Sequence, residues 1–318
     1  MGRLMKALSR GMWWAGLVAV AAAGAAEPTG RWNLQVEGGE FSFPGWLGIA
    51  QEADGTSVRY VGRVGSARTI REFELKEGTL EFTRDEWFGA YENVRHVFHL
   101  SDAGVTGEIT RANGQKLIVR GEPTPKLDRL PVTKWSEPRA LFNGRDLSGW
   151  REVTGGKTPT AGWRIENGEL ITVKGTADLA TEELFEDFRL RLEFNCPPSG
   201  NSGVYLRGRY EVQIEDDSPK APVTNQTGGV YGWLGPDEAV PRIPGEWQTL
   251  EITLVGRRAT VVLNGKTLFE RSEIPGITGA ALDGDEAKPG PILLQSSHGK
   301  TGGAIRFRKI TVATPLKR

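Results

Sequence analysis

After residue 27, apolar and polar positions alternate with period two along most of the chain. The stretch Phe188-Arg189-Leu190-Arg191-Leu192-Glu193-Phe194 alternates strictly, and the pattern recurs at Leu250, Ile252 and Leu254 and again at Ile305 and Phe307. Period two places one residue set on one face of a strand and the other set on the opposite face. In the first third of the chain it predicts strands at 41–50, 57–64, 68–75, 79–84, 94–100, 105–111 and 115–120. Helical periodicity is nearly absent; Thr181 to Phe185 could form a single turn. Asn-Gly, in which both residues accept positive φ, lies between alternating segments at Asn113-Gly114, Asn167-Gly168 and Asn264-Gly265, and these predict hairpins. Asn143-Gly144 lacks such flanks. Many short strands punctuated by turns predict an all-β sandwich or barrel.

Prolines divide this pattern. Pro123, Pro125, Pro131 and Pro138 fall in a stretch with charges and no alternation, which reads as an extended linker over 123–138. A small N-terminal β domain is expected over 27–122 and a larger unit over 139–314. The length of 318 residues suits two domains.

The first 26 residues stand apart. Arg3, Lys6 and Arg10 precede an apolar, Ala-rich run from Gly11 to Ala26, with Ala23-Gly24-Ala25 as a cleavage signal. This is the grammar of a secretory signal peptide. The run is shorter than the 18 or so residues that normally span a bilayer, so no membrane span is expected once it is removed. Export to the periplasm or medium follows. The chain carries 40 basic and 40 acidic residues; without Arg3, Lys6 and Arg10 the balance is 37 to 40, a net −3. That charge argues against a nucleic-acid partner, which needs a cationic surplus. A single cysteine excludes an internal disulfide and a cysteine-based zinc site.

Several familiar motifs fail on spacing. Gly200-Asn201-Ser202-Gly203 is not a nucleophile elbow. Gly265-Lys266-Thr267 ends like a phosphate loop, but Thr260 stands where its first glycine belongs. His96 and His99, three apart on one strand, face opposite sides and make a poor metal pair. Cys196 shows no activating partner and reads as a packing residue.

One segment concentrates polar chemistry: Asn201 through Asp216, reading NSGVYLRGRYEVQIED. Val204, Leu206, Tyr210, Val212 and Ile214 alternate with Tyr205, Arg207, Arg209, Glu211 and Gln213. Period two stacks Arg207, Arg209, Glu211 and Gln213 on one face, and Gly208 could interrupt the strand with a bulge. The face is either a solvated surface with cross-strand ion pairs or a concave polar site for a ligand such as a sugar. Aromatic candidates to stack on a sugar are Trp150, Trp163, Tyr205, Tyr231 and Trp233.

The motifs of the second unit, taken in order, carry a resemblance. They are Leu141-Phe142-Asn143-Gly144-Arg145-Asp146-Leu147-Ser148-Gly149-Trp150, then Trp163 through Leu170, then Asp187-Phe188-Arg189-Leu190. Asn201 through Arg207, Tyr210-Glu211-Val212-Gln213-Ile214 and Gly228-Gly229-Val230-Tyr231 follow. Gly245-Glu246-Trp247-Gln248, Val262-Leu263-Asn264-Gly265, Gly290 through Gln295, His298-Gly299 and Phe307-Arg308-Lys309-Ile310 complete the set. Over residues 139–313 the chain resembles the 3-keto-disaccharide hydrolase family, also described as the 3-keto-glycoside 1,2-lyase / 3-keto-2-hydroxyglucal hydratase domain. One departure is that Ser296 and Ser297 precede His298 where family members often carry Asp, so an Asp-assisted His298 is not carried over.

The resemblance implies a concanavalin-like jelly-roll sandwich and an enzyme that cleaves 3-keto-glycosides by β-elimination, hydration or both. The partner would be an oligosaccharide or 3-keto-glycoside. Such chemistry needs a base near C2, a charge stabiliser near O3 and an acid for the leaving oxygen, with no redox cofactor. Glu211, His298 and Arg207 are the candidate catalytic set. His298 or Glu211 would be the base, and Arg207 would stabilise the enolate. Glu211 and His298 could instead hold a divalent metal ion that polarises the ketone. Asn201, Tyr205, Gln213, Tyr231 and Gln295 are the candidate substrate-binding residues. The alternative is a non-catalytic carbohydrate-binding jelly roll of the cell envelope.

Overall fold

The computed structural model describes residues 28–38, 42–86, 90–154, 161–215, 223–236, 243–298 and 303–316. The signal peptide expected at 1–26 lies outside them. Apart from one 3-10 turn at Val223–Asn225, the regular structure among the described residues is all strand. The helical turn expected at Thr181–Phe185 is absent; Thr181 ends a strand and Phe185 forms a bridge to Gly290.

Nine strands come first: β1 (Gly30–Glu37), β2 (Phe43–Glu52), β3 (Gly55–Val61), β4 (Arg68–Ile70), β5 (Glu74–Lys76), β6 (Thr79–Glu86), β7 (Tyr91–Ser101), β8 (Gly104–Thr110) and β9 (Lys116–Pro123). They form one antiparallel sheet in the order β4-β3-β2-β1-β9-β8-β7-β6-β5. Ile70 on one edge and Leu75 on the other pack against the same core, so the sheet curls around it. Trp32, Leu34 and Val36 of β1 enter that core while Arg31, Asn33 and Gln35 face away, a period-two strand N-terminal to the first expected one at 41–50. The single strand expected at 68–75 is two short edge strands. His96 is fully buried and stacked on Phe82, whereas His99 is exposed, as their spacing requires.

The second unit is a sandwich of two antiparallel sheets, of the concanavalin-like jelly-roll class. Its strands are β10 (Arg139–Ala140), β11 (Trp150–Val153), β12 (Arg164–Glu166), β13 (Glu169–Thr172), β14 (Asp178–Thr181), β15 (Phe188–Asn195), β16 (Asn201–Leu206) and β17 (Tyr210–Glu215). β18 (Trp247–Val255), β19 (Arg258–Leu263), β20 (Lys266–Glu273), β21 (Leu293–Leu294) and β22 (Ile305–Ala313) complete it. One sheet runs β12-β13-β22-β15-β18-β19-β20, with β10 beside β22; the other runs β11-β14-β21-β16-β17. All three expected Asn-Gly turns join hairpins: β8–β9, β12–β13 and β19–β20. Asn167 and Gly168 at φ 53° and 77°, and Asn264 and Gly265 at 51° and 79°, have the left-handed pair that a two-residue hairpin requires. Phe188, Leu190, Leu192 and Phe194 of one sheet face Leu179, Val204, Leu206, Val212, Ile214 and Leu294 of the other in a single core. Burying each such side chain contributes about 1.5–3 kcal/mol.

The two units meet through packing and polar bonds. Trp46 of β2 packs edge-on against Trp233 at 4.9 Å, and Arg59 of β3 lies 4.3 Å over the same Trp233 ring. A second junction centres on buried Glu286. Asn33 of β1 donates to its Oε2 (2.8 Å), Tyr210 donates to its Oε1 (2.6 Å), and Arg257 lies 3.2 Å from Oε1 while also donating to the Pro125 carbonyl. The proline-rich stretch is thus held against the sandwich at Pro125. At Trp135 it is held again, by a bridge to Pro315 and by the Arg189 guanidinium 4.6 Å over its ring.

Candidate functional site

The five-stranded sheet has a core face and an outer face, and its polar chemistry lies on the outer one. In the β16–β17 hairpin, Val204, Leu206, Val212 and Ile214 point into the sandwich. Their alternates Gly203, Tyr205, Glu211 and Gln213 point outward, with Tyr205 paired to Glu211 and Gly203 paired to Gln213. Ala180 of β14 and Leu293 of β21 give that face a small apolar patch beside Tyr205, with Val153 and Leu282 at its margin.

Glu211 is 4% exposed. Its Oε2 accepts a hydrogen bond from the Tyr205 hydroxyl at 3.0 Å. Burial pushes its carboxyl up to about 8. The Tyr205 and Gln295 hydrogen bonds oppose that rise, and the charges of Asp178 and Glu215 add to it. A buried carboxyl near other carboxylates resists ionisation, so it holds its proton at neutral pH. Glycine at 203 makes room for it: a Cβ there would lie 2.5 Å from Glu211 Oε1 and 2.9 Å from its Cγ.

The Tyr205 hydroxyl has three neighbours: Glu211 Oε2 and the Gly279 carbonyl, both at 3.0 Å, and Gln295 Nε2 at 3.3 Å. One O–H proton cannot serve two acceptors at once. With Glu211 protonated, Glu211 donates to Tyr205 and Tyr205 donates to Gly279, so the two acceptors no longer compete for one proton. With Glu211 ionised, the Tyr205 proton turns to the carboxylate. The hydroxyl therefore follows the protonation state of the acid beside it. Thr278, next to Gly279, accepts the Glu211 backbone N–H at 3.0 Å and so fixes the strand beneath the acid.

Around this centre lie further polar groups, Gln213 buried and Asn201, Asp178, Tyr231 and Gln295 half-buried. Asn201 Oδ1 and Gln295 Oε1 are buried acceptors with no hydrogen-bond partner. Gln213 donates to Glu215 at 3.3 Å. Asp178 Oδ1 takes the Ser296 N–H at 2.7 Å. Tyr231 is anchored by its N–H on the Glu211 carbonyl (2.9 Å). Its hydroxyl is pushed up to about 12 by burial and by Glu211 and Glu215, with Arg68 opposing. Of the residues expected to bind substrate, Tyr205, Gln213, Tyr231 and Gln295 thus gather around Glu211, while Asn201 shares their face further along β16, opposite Glu215.

Arg207 does not join them. β16 and β17 are separate strands, and the chain reverses through Arg207, Gly208 and Arg209, with Arg207 at φ 52° and Gly208 at 69°. That reversal ends the period-two face, so a turn stands where a bulge was expected. The Arg207 guanidinium is fully buried in the junction with the first unit. It donates to the Glu286 carbonyl (2.9 Å), the Tyr210 hydroxyl (3.1 Å) and the Gly256 carbonyl (3.0 Å). Arg209 is likewise held by Asp283 at 2.6 Å. His298 also stands apart. Its N–H bonds the Asn201 carbonyl at 3.1 Å, four residues along β16 from Tyr205, which is about 13 Å of strand. Its ring is exposed and its Nδ1 lies 3.1 Å from the Ser296 carbonyl. Trp150, Trp163 and Trp233 are buried in the sandwich core, leaving Tyr205 and Tyr231 as the aromatic candidates on this face.

Glu211 and His298 do not fit a shared metal site. The His298 backbone is bonded to Asn201 at the start of β16 while Glu211 stands opposite Tyr205 near its end, and among the described residues no group of three or more His, Cys, Asp or Glu is placed to hold a metal ion. Several residues of the site were not foreseen: Gly203 as the space for Glu211, Asp178 as its charged neighbour, and Thr278 and Gly279 as its supports. A glycine in mid-strand was the available signal for the first; the others come from distant segments with no local mark.

The profile of the 3-keto-alpha-glucoside-1,2-lyase-like domain family matches residues 137–313. Among solved structures, a candidate glycosyl hydrolase from Parabacteroides distasonis is 33% identical, covering 56% of this chain and 83% of its own, with a TM-score of 0.47. A second from the same organism is 27% identical, covering 57% of this chain and 100% of its own, with a TM-score of 0.44. Among curated proteins no match is found.

Proposed function

The chain belongs to the 3-keto-alpha-glucoside-1,2-lyase-like domain family, and from that premise we propose that it is a carbohydrate-acting enzyme that cleaves 3-keto-glycosides, with Glu211 as its proton-transfer residue. The observation that carries the reading is a buried carboxyl poised near neutrality and hydrogen-bonded to Tyr205, with the unpaired acceptor of Gln295 beside it and that of Asn201 further along the same face. Unpaired buried acceptors have a strong need for donors, and sugar hydroxyls supply them.

A ketone at C3 acidifies the proton on C2. Ionised Glu211 takes that proton, the electron pair forms the enolate, and the C1–O bond breaks as a C1=C2 double bond forms. The proton on Glu211 then passes to the departing oxygen, so one residue serves as base and acid in turn. Addition of water to the resulting 2-hydroxyglucal gives the free 3-keto sugar. A carboxylate with a pKa of about 8 is a stronger base than an ordinary one, and as an acid it still releases its proton near neutral pH. Asn201, Gln213 and Gln295 orient hydroxyls, and Tyr205 steadies both charge states of Glu211.

The test is turnover of a 3-keto-disaccharide by wild type, Glu211→Gln and His298→Ala. Glu211→Gln should lose activity at least 100-fold with the fold intact, and wild-type kcat/KM should rise with pH through about 8. An active Glu211→Gln with an inactive His298→Ala would move the base to His298. Sugar binding without turnover by wild type would make this a carbohydrate-binding module instead.

Export to the periplasm or medium is part of the same proposal, resting on residues 1–26. It predicts that the mature protein starts at residue 26 or 27, read by N-terminal sequencing. Among the described residues no helix is long and apolar enough to cross a membrane.

A further inference from the structure

The segments that carry Tyr231 and Gly279 do not stand free. A side chain at Gly232 would meet the Ala67 nitrogen and the Ser66 Cβ, both at 2.6 Å, and one at Gly279 would run into the backbone of Gly65. The Ala280 N–H donates to the Arg63 carbonyl at 2.8 Å, and Arg59 donates to the Gly232 carbonyl at 3.0 Å. The loop between β3 and β4 of the first unit therefore lies directly against the two segments that flank Glu211 and Tyr205. The same loop leads into Arg68, the first residue of the edge strand β4. Arg68 pairs with Tyr60 across the sheet, its side chain is exposed, and that side chain makes no hydrogen bond or ion pair among the described residues. Its charge acts on the Tyr231 hydroxyl against Glu211 and Glu215. On a face whose acidic groups include Asp178, Glu211 and Glu215, Arg68 is a cation supplied by the other unit.

We propose that the N-terminal sheet completes the substrate cleft and that Arg68 binds hydroxyls of the sugar attached at C1, the leaving group. The inference rests on the proposed role of Glu211. Glu211 lies at the buried floor, so the reacting ring sits there. Arg68 follows Ala67, whose nitrogen lies against Gly232 next to Tyr231, so its exposed side chain is placed at the margin of that face, where the second sugar would lie. An Arg fork carries five N–H donors in a plane and can span two neighbouring hydroxyls. Arg207, buried in the junction, helps lock the sheet that presents Arg68.

The experiment compares a 3-keto-disaccharide with the methyl 3-keto-glucoside, whose leaving group has no hydroxyls. In Arg68→Ala, KM for the disaccharide should rise about tenfold or more while KM for the methyl glycoside stays within twofold. Arg68→Lys should recover part of the loss. Because Arg68 is exposed on an edge strand, Tm should not move. Equal effects on both substrates, or no effect on either, would overturn the proposal. If wild type turns over neither substrate, the lyase reading fails, and Arg68 is then judged by calorimetry with the unoxidised disaccharide. A Kd unchanged by Arg68→Ala would overturn the subsite on its own.

Discussion

Gly203→Ala adds one methyl group where the structure leaves no space for it. Its Cβ would stand 2.5 Å from Glu211 Oε1, 2.9 Å from Cγ and 3.1 Å from Cδ. Gly203 is not in the left-handed region, so the backbone accepts alanine and the clash alone decides the outcome. Ordinary contact begins at 3.4 Å, so the carboxyl must retreat by 3.4 − 2.5, about 0.9 Å. The strand beneath cannot follow, since β17 is fixed by Thr278 on the Glu211 N–H and by Tyr231 on its carbonyl, so the side chain must shift and its hydrogen bond from Tyr205 is disturbed. A displacement near 1 Å at a proton-transfer group costs about 100-fold in rate. Overpacking costs about 1–3 kcal/mol of stability, which leaves a folded protein to assay. The assay is kcat on a 3-keto-disaccharide, with a urea melt beside it. The expected result is a loss of about 100-fold at a stability loss of 3 kcal/mol or less. In a Glu211→Gln background the same methyl should cause no further loss of rate, because the positioned group is already gone. Wild-type kcat in Gly203→Ala would refute the placement of the reacting ring over Glu211.

Two further predictions follow from buried groups. The Glu211 carboxyl titrates at about 8 in the folded chain against an ordinary 4.5, so between those values the folded state holds a proton that the unfolded state has released. Stability should therefore fall as pH rises from about 5 to about 8, and the difference between wild type and Glu211→Gln, read as urea midpoints across that range, isolates the slope; a difference that is flat with pH would sink the raised carboxyl. Arg207→Met removes three buried hydrogen bonds, to Glu286, Tyr210 and Gly256, and should cost about 2–4 kcal/mol while leaving kcat of the folded fraction unchanged. A large loss of kcat at unchanged stability would return Arg207 to the chemistry.

Local pattern specified hairpins better than single strands. Asn167-Gly168 and Asn264-Gly265 contain in two residues the whole conformational demand of a tight turn, so their hairpins were legible without any knowledge of the rest. β1 alternates cleanly too, but it begins next to the expected cleavage site, with no alternating segment before it to mark a hairpin. Splitting the stretch 68–75 into β4 and β5 is a consequence of curling. The two halves lie at opposite edges of the sheet, a separation that no short-range pattern encodes.

The same limit explains which site residues could be read. Tyr205, Glu211 and Gln213 share a face because β16 and β17 pair with Tyr205 opposite Glu211, so residues of like parity meet. Arg207 has that parity too, but alternation holds only while the chain stays extended. At φ 52° and 69°, Arg207 and Gly208 turn it back, and the guanidinium leaves the outer face for the junction. Charge alone could not distinguish the two cases, because an arginine at a turn and an arginine over a ligand look alike in a list of residues. The glycines differ in kind. Gly208 is required by a backbone conformation, whereas Gly203 sits in extended strand and is required by the side chain beside it. A strand gives up packing and chain stiffness by placing glycine at its centre. Here the space it leaves is occupied by a carboxyl that is buried and held near neutrality. That exchange makes sense for a proton-transfer group, and it serves no purpose in a solvated sheet face.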